Sequence, residues 1–299
     1  VVTMVGGPEE VLETVIECTR IATDLIDMRE HSGEHARMGA VDVVPFIPIQ
    51  GISMEDCVTL SERYANTVSE ELDLPVYLYA EAARTPQRSR LPDIRRGQYE
   101  GMAEKVISPE WKPDYGPSEF KPKMGVTATG ARTILIAYNV NLDTDDKSKA
   151  NSIASKIRTS GSLVKDENGE KVIGDDGKPI RNPGIFQSLQ AAGWMYDPST
   201  AQVSMNLLDY DVTGLHEVTE AIRVEAKKIG LNVTAGELVG LVPLSAMKSA
   251  GNYYNNDKGE IDEKTIVEKA ISGLMLDKLR DFDPQSCIIE WAIARGSEN

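Results

Sequence analysis

The order of elements in the second half of this chain limits its fold more than any other feature of the sequence. Four apolar runs predict strands, over 133–141, 190–196, 201–208 and 238–242. Helical spacing of apolar residues covers two further segments, at about 144–160 and 215–229. A tight turn at Asp197-Pro198 joins the two middle strands. The resulting order, β-α-β-β-α-β, is the ferredoxin-like split β-α-β pattern, so we expect a protein of the α/β (α+β) class.

The first half of the chain repeats part of this order. Residues 1–6 predict a strand, Pro8 begins a helix that has acidic residues in its first turn, and residues 42–49 predict a second strand. This strand-helix-strand fits the end of the same pattern, and an opening β-α-β would then be absent. We therefore expect two ferredoxin-like α/β subdomains, an incomplete N-terminal one over 1–131 and a C-terminal one over 132–299.

Local signals add detail to both halves. Ser53 is placed to cap a second helix, with Asp56 at the acidic position of a capping box, and residues 75–79 predict a further strand. The density of proline and glycine over 108–125 indicates a stiff, irregular segment. Residues 174–177, Gly-Asp-Asp-Gly, have the composition of a hairpin turn.

Composition excludes several classes of partner. The 299 residues carry a formal net charge of −15, whereas binding to nucleic acid or to anionic membranes depends on clustered Lys and Arg. No apolar run reaches the roughly 20 residues that span a bilayer. Three distant cysteines, without a Cys-x-x-Cys pair, indicate neither disulfides nor a cysteine metal site. We expect a cytoplasmic protein with no metal, nucleic-acid or membrane partner.

The loop before the strand at 42–49 carries the side chains best suited to catalysis. Glu34, His35 and Arg37 bring a carboxylate, an imidazole and a guanidinium together, and Gly39 allows close approach of the backbone to a ligand. The chain has only three histidines, and imidazole is the usual proton shuttle near neutral pH. His35 is therefore the candidate general acid/base. The alternative is a surface or capping histidine.

Other places have both a functional and a structural interpretation. The arginines of 84–97 form either a dock for carboxylates or an exposed turn paired with surface acids. Residues 114–125 are either a ligand-contacting segment or a linker that crosses the surface. Glu237 is either a ligand contact at the mouth of an apolar run or a solvated strand end. Gly125 and Gly130 are not followed by Gly-Lys-Ser/Thr, so nucleotide binding is not expected.

Several motifs resemble, in order along the chain, the signatures of glutamate formimidoyltransferases. In the first half they are Leu25-Ile26-Asp27-Met28, Gly33-Glu34-His35-x-Arg37-Met38-Gly39, Asp42-Val43-x-Pro45-Phe46-Ile47-Pro48, Val76-Tyr77-Leu78-Tyr79 and Asp114-Tyr115-Gly116-Pro117-Ser118. In the second half they are Asn206-Leu207-Leu208-Asp209-Tyr210, Val212-Thr213-Gly214-Leu215-His216, Leu238-Val239-Gly240-Leu241-Val242-Pro243 and Ile288-Ile289-Glu290. The resemblance runs from Val1 to about Trp291 and covers the transferase part of the family, without its cyclodeaminase domain.

The resemblance implies an activity and a fold. The activity is transfer of a formimidoyl group from N-formimino-L-glutamate to N5 of tetrahydrofolate, which gives L-glutamate and 5-formiminotetrahydrofolate in histidine degradation. The fold is two α/β subdomains that face each other across a folate tunnel. His35 corresponds to the catalytic histidine of the family. Tetrahydrofolate, often with a polyglutamyl tail, would be a co-substrate, and a homodimer is expected.

The resemblance also implies binding residues. The segment that borders folate in the family corresponds here to Gly116, Pro117, Ser118, Glu119, Phe120, Lys121, Pro122, Lys123, Met124 and Gly125. Arg37 and the arginines at 84–96 are candidates for the carboxylates of the donor, and Lys121 and Lys123 for the anionic folate tail. Glu237, which stands where some relatives carry an amide, completes the candidate set.

Two alternative functions stay open. A non-catalytic folate-binding or interaction module of the same fold would need no proton shuttle, so the presence of His35 favours the enzyme. A different one-carbon or amidine transfer at the same folate site is also compatible with the sequence, because a fold does not determine a function.

Overall fold

The protein divides into two compact units. The structure, a computed structural model, describes residues 2–32, 36–255 and 262–296. One unit is Met4–Ile134 and the other is Leu135–Asn299 with the first residues of the chain. Each unit has its own sheet and its own apolar core. The predicted α/β class is confirmed.

A parallel sheet forms the centre of the N-terminal unit. Its strands are β1 (Val43–Phe46), β2 (Val76–Ala80) and β3 (Thr127–Ala131), with β3 between the other two. Its helices are α1 (Pro8–Leu25), α2 (Met54–Leu72), α3 (Leu91–Ile94) and α4 (Gln98–Ile107). All of β3, and all of β2 except its last residue, is buried, as expected for parallel strands that are covered on both faces.

The strand predicted over 1–6 is wrong for the residues that the structure describes. Residues 2–6 are not part of a strand. Val2 and Val5 are 80% and 49% exposed, so these apolar side chains bury no face against a sheet. The second predicted strand is confirmed as β1, although it is shorter than the predicted 42–49.

The ferredoxin-like order is also wrong for the described part of the N-terminal unit, because its strands are parallel. The sequence did not predict strand β3, because Thr-Ala-Thr-Gly-Ala contains no apolar run. Thr127 and Thr129 are nevertheless buried, because each hydroxyl donates a hydrogen bond to a backbone carbonyl of the segment that includes β1. A hydroxyl that is satisfied in this way can be buried at low cost.

The signals for helix α2 and for the irregular segment are confirmed. The Asp56 amide donates to Ser53 Oγ at 3.1 Å, and the Ser53 amide donates to Asp56 Oδ2 at 3.0 Å, which is the predicted capping box. Residues 108–125 contain a short 3₁₀ turn, Pro109–Trp111, and no longer element.

The C-terminal unit has the predicted ferredoxin-like architecture. Its four-stranded antiparallel sheet has the order β7-β8-β4-β9, formed by β4 (Ile136–Leu142), β7 (Leu189–Asp197), β8 (Thr200–Leu207) and β9 (Val233–Val239). Its helices are α5 (Lys147–Ile157), α6 (Leu215–Lys228), α7 (Leu244–Tyr254), α8 (Glu263–Leu274), α9 (Pro284–Cys287) and α10 (Ile289–Gly296). The last strand begins earlier than the predicted 238–242 and ends before Gly240, whose φ is +86°.

A polar insertion leaves the C-terminal sheet between α5 and β7. It contains the short pair β5 (Ser162–Leu163) and β6 (Arg181–Asn182). The predicted turn at 174–177 is present: the Gly174 amide donates to the Lys178 carbonyl at 2.8 Å, and the Gly177 amide donates to the Gly174 carbonyl at 3.0 Å.

The outer edge of β7 is occupied by groups from α5 and the residues after it. Asn151 Oδ1 accepts from the Gly193 amide at 3.4 Å, and Arg158 Nη1 donates to the Ala191 carbonyl at 3.3 Å. Thr159 exchanges two hydrogen bonds with Leu189, whose amide donates to the threonine hydroxyl and whose carbonyl accepts from the threonine amide. The backbone of Leu189, the Ala191 carbonyl and the Gly193 amide are therefore bonded on this edge without a fifth strand.

Candidate active site

The loop that carries the catalytic candidate is described in part. His35 lies outside the described residues, together with Gly33 and Glu34 of its motif. The described chain resumes at Ala36, and Arg37 is the first residue of the motif whose side-chain contacts are known. The described contacts of this loop therefore centre on Arg37.

Arg37 is a mostly buried cation beside helix α4. Its Nη2 and Nη1 donate to the two carboxylate oxygens of Glu100, at 2.6 and 3.2 Å. Nη2 also lies 3.4 Å from the His31 carbonyl, and the guanidinium carbon is 5.7 Å from the centre of the Tyr99 ring. The hydrogen bond to Glu100 raises the pKa of Arg37, so this side chain is a fixed positive charge.

Tyr99 connects Arg37 with the segment Gly116–Gly125. Its ring is 5.3 Å from the ring of Phe120, and its hydroxyl donates to the Pro122 carbonyl at 2.5 Å. Backbone bonds add to this anchoring: the Met28 amide donates to the Lys123 carbonyl at 2.9 Å, and the Ala40 amide donates to the Met124 carbonyl at 2.8 Å. The structure thus brings Arg37 and the second half of the segment together on α4.

Two glycines allow this arrangement. Gly125 has a φ of +73°, and a Cβ built on it would lie 2.2 Å from the Met38 carbonyl oxygen. A Cβ on Gly39 would lie 2.4 Å from the Val126 carbonyl oxygen. The close approach predicted for Gly39 is therefore made, in the described structure, to the backbone around Gly125. Neither position accepts a side chain without moving backbone.

The two lysines of the segment are engaged within the N-terminal unit. Lys121 Nζ lies 2.5 Å from Asp73 and 3.4 Å from Glu119, and the hydrogen bond to Asp73 raises its pKa. Lys123 Nζ donates to the Asp24 carbonyl at 3.2 Å. Both ammonium groups are therefore oriented by local oxygen atoms.

The beginning of the segment is fixed to β2. Arg88 and Asp114 form a buried ion pair at 2.7 Å, with side chains 8% and 5% exposed. Asp114 also accepts from the Leu78 amide at 2.9 Å. Gly116 has a φ of +79°, and a Cβ on it would lie 2.3 Å from the Leu74 carbonyl oxygen. Pro117 and Ser118 follow this anchored turn.

The arginines of the arginine-rich stretch form ion pairs with acids of the unit. The pairs are Arg84–Glu62, Arg88–Asp114, Arg90–Asp93, Arg95–Asp42 and Arg96–Asp93. These pairs agree with the structural interpretation, and the dock for carboxylates stays a prediction. Arg88 departs from the expected exposed turn, because its guanidinium is buried against the rings of Tyr77 and Trp111.

Glu237 lies in the C-terminal unit on a polar face of the antiparallel sheet. It pairs across strands with Asn139, whose Nδ2 donates to the Glu237 carboxylate at 3.0 Å. On the same face, Gln202 Nε2 donates to Asn141 Oδ1 at 2.9 Å. Asn139, Asn141 and Gln202 are buried. Glu237 is therefore a half-buried, hydrogen-bonded residue within β9, so the solvated strand end is wrong.

The sequence did not point to these buried amides or to Glu100. The alternation of polar and apolar residues along β4 was the available signal, since successive residues of a strand face opposite sides. The described residues contain no group of three or more His, Cys, Asp or Glu side chains placed to bind a metal ion. Among the described helices, none is long and apolar enough to cross a membrane.

Two family models match the chain over nearly its whole length. The model described as the formiminotransferase domain, N-terminal subdomain, matches residues 1–132, and that of the formiminotransferase domain matches residues 137–294. The chain belongs to the formiminotransferase family. The second match covers the ferredoxin-like sheet with Glu237, and the first covers Arg37 and the segment Gly116–Gly125.

Curated members of the formiminotransferase family are similar to this chain. A glutamate formimidoyltransferase of Streptococcus pyogenes serotype M1 is 38% identical over 91% of this chain and 84% of its own length. Another, of Thermoplasma acidophilum, is 39% identical over 90% of this chain and 82% of its own length. The formimidoyltransferase-cyclodeaminase of Mus musculus is 45% identical over 98% of this chain, which spans only 52% of that longer protein.

Proposed function

We propose that this chain is a glutamate formimidoyltransferase. It transfers the formimidoyl group of N-formimino-L-glutamate to N5 of tetrahydrofolate and releases L-glutamate and 5-formiminotetrahydrofolate. The observation that carries the proposal is the similarity to two enzymes of that name over more than four fifths of their length, 84% and 82%. The matched positions include every described candidate residue of the site.

The chemistry suits a histidine at position 35. N5 of tetrahydrofolate attacks the amidine carbon of the donor, and the new N–C bond creates a tetrahedral intermediate. The bond from that carbon to the glutamate nitrogen then breaks. One proton leaves N5 and one reaches the departing nitrogen, so a single imidazole that accepts and then returns a proton serves both steps. His35 is assigned this role.

The donor and the acceptor differ in what they need from the protein. The donor has two carboxylates, and the guanidinium of Arg37 presents a fork that matches one of them. The acceptor has an aromatic ring system, which the half-buried Phe120 suits, and an anionic tail, to which we assign Lys121 and Lys123. Glu237 and its amide neighbours offer acceptors and donors to the polar edge of a pterin.

Further parts of the proposal concern the whole protein. We propose that the subdomains are 1–131 and 132–299, that the protein is a cytoplasmic homodimer, and that it acts in histidine degradation. A folate tunnel between the subdomains stays a prediction from the resemblance. The matches of two family models, to residues 1–132 and 137–294, support the subdomain bounds, and the homodimer, the location and the pathway are proposed from the resemblance.

A transfer assay tests the activity and the role of His35 together. The protein is mixed with N-formimino-L-glutamate and tetrahydrofolate, and 5-formiminotetrahydrofolate is measured. His35→Ala is expected to lower kcat by about 100-fold or more, since a positioned general acid/base contributes roughly that factor. His31→Ala is the control, because this exposed side chain is removed while its backbone carbonyl, which contacts Arg37, is retained.

Other outcomes separate the alternatives. If the full chain binds tetrahydrofolate without forming product, the transferase proposal fails and the non-catalytic folate-binding module takes its place. If product forms equally well with His35→Ala, the transferase stands and the proton shuttle is a different residue.

A further inference from the structure

The carboxylate of Glu100 binds the guanidinium of Arg37 in the way that a ligand carboxylate would. Both terminal nitrogens of Arg37 donate to it, at 2.6 and 3.2 Å, which is the two-point geometry by which arginine recognises carboxylates. The two partners differ in burial, because the Arg37 side chain is 18% exposed and that of Glu100 is 64% exposed. The guanidinium of Arg37 is therefore largely buried in the unit, whereas Glu100 lies on the solvent side of it.

Arg37 is oriented by groups other than Glu100. The Tyr99 ring lies 5.7 Å from the guanidinium carbon, and the His31 carbonyl is 3.4 Å from Nη2. The Nε of Arg37 is buried and has no hydrogen-bond partner among the described residues. The guanidinium thus has contacts with Tyr99 and the His31 carbonyl that do not depend on Glu100.

Glu100 is more exposed than Asp42 and Asp114, the two paired acids of this region that bond the backbone of another segment, and besides Arg37 its carboxylate is bonded by its own backbone amide. Asp42 accepts from the Met38 amide as well as from Arg95, and Asp114 accepts from the Leu78 amide as well as from Arg88. In the described part of the chain, Arg37 is the only side chain paired with Glu100. Ion pairs with an exposed partner contribute little to stability, so this one can be exchanged.

We propose that Glu100 is a placeholder for a carboxylate of the substrate. A carboxylate of the dicarboxylic donor, or of the L-glutamate product, displaces it from Arg37, and the freed side chain turns into solvent. This inference rests on the proposed function, which supplies the dicarboxylic substrate. The exchange replaces one ion pair by another, so neither the buried guanidinium nor the incoming carboxylate is left unpaired.

The placeholder has a measurable effect, because it competes with the ligand. Glu100→Gln removes the competing charge and keeps the size of the side chain. We expect L-glutamate to bind this variant about two- to five-fold more tightly in calorimetric titration, the range that corresponds to an exposed ion pair. In the transfer assay, KM for the donor falls by the same factor and kcat is unchanged.

Glu104→Gln is the matched control. Glu104 lies one turn further along α4, is exposed, and has no ion pair among the described residues. Both variants change the net charge equally, so a general electrostatic effect would appear in both. Tighter binding by Glu100→Gln alone identifies the placeholder.

The opposite results overturn the inference. Weaker L-glutamate binding or a higher donor KM in Glu100→Gln shows that Glu100 positions Arg37 rather than blocking it. Equal affinity in wild type and variant shows that Glu100 does not compete, and absence of L-glutamate binding in both shows that Arg37 is not the carboxylate site. Failure of the transferase proposal is recognised separately, as wild type that binds L-glutamate and forms no 5-formiminotetrahydrofolate.

Discussion

The buried pair of Arg88 and Asp114 joins the irregular segment to the parallel sheet. Asp114→Ala leaves the guanidinium of Arg88 buried without its carboxylate, and the Lys112 carbonyl, 2.7 Å from Arg88 Nη2, compensates only in part. We expect a loss of about 3 kcal/mol in the free energy of unfolding, the cost typical of breaking one side of a buried pair. Chemical denaturation measures it.

Asp93→Ala is the control for this prediction. Asp93 pairs with Arg90 and Arg96, both of which are exposed, so its loss is expected to cost about 1 kcal/mol or less. Equal losses in the two variants would contradict the structural role assigned to the buried pair.

His216 makes stability depend on pH. The ring is half-buried and lies 4.7 Å from that of Tyr253 in a tilted arrangement, and burial lowers its pKa below the usual 6.5, against the opposing effect of Glu217 and Glu220. As the pH falls below about 6.5, the folded protein binds fewer protons than the unfolded chain, so the free energy of unfolding decreases. Above that pH, His216 makes its full contribution to stability.

The variant His216→Phe keeps a ring against Tyr253 and cannot be protonated. We expect the melting temperature of the wild type to drop more steeply between pH 7 and pH 5 than that of the variant. Identical slopes would show that His216 does not contribute to the pH dependence.

At the residue scale, the sequence indicated which side chains belong to the candidate site, but not which residues contact them. Arg37 was found because it lies two positions after His35. Glu100 and Tyr99, which contact it, are more than 60 positions away, with 63 between Arg37 and Glu100. A contact over such a separation depends on the packing of α4 beside the loop, which local patterns do not encode.

At the scale of elements, the contact between Gly39 and Gly125 holds the candidate segment against the loop of Arg37. Gly125→Ala combines an unfavourable φ of +73° with a Cβ 2.2 Å from the Met38 carbonyl oxygen. We expect it to lower the free energy of unfolding by about 3 kcal/mol or more, or to displace the segment and raise KM for tetrahydrofolate.

The variant Gly51→Ala is the control for Gly125→Ala, because it introduces backbone strain without a steric clash. Gly51 lies in the same unit with a φ of +71°, and a Cβ on it would meet nothing within 4 Å. Its substitution is expected to cost only the backbone strain, about 1 kcal/mol. If both variants lost the same stability, the close approach at Gly125 would have no energetic role.

Elements with strong periodicity or explicit caps were predicted well, and β3 was not. Helix α2 carries both parts of its capping box in the sequence, and α1 begins at its proline. Strand β3 is buried on both faces yet consists of small residues and threonine. Its stability comes from neighbouring strands and from hydroxyl bonds to their backbone, and neither is visible in a hydrophobic pattern.

At the scale of the whole molecule, one half was predictable and the other was not. The C-terminal unit alternates strands and helices with clear apolar runs, and its ferredoxin-like order followed directly. The N-terminal unit was assigned the same order by analogy, but strand direction depends on which connections cross over a sheet. The site candidates were found largely by resemblance to a family, and their spatial grouping around Tyr99 came from the structure.

The occupied edge of β7 bears on how copies of this protein can associate. Unsatisfied amides and carbonyls at the edge of a sheet act as a template for a strand from another molecule, in orderly dimers and in aggregates alike. Here the side chains of Asn151 and Arg158 already occupy that template. A strand of a second copy cannot bond these groups of β7 unless Asn151 and Arg158 move away, so this part of the edge is protected when the protein is concentrated.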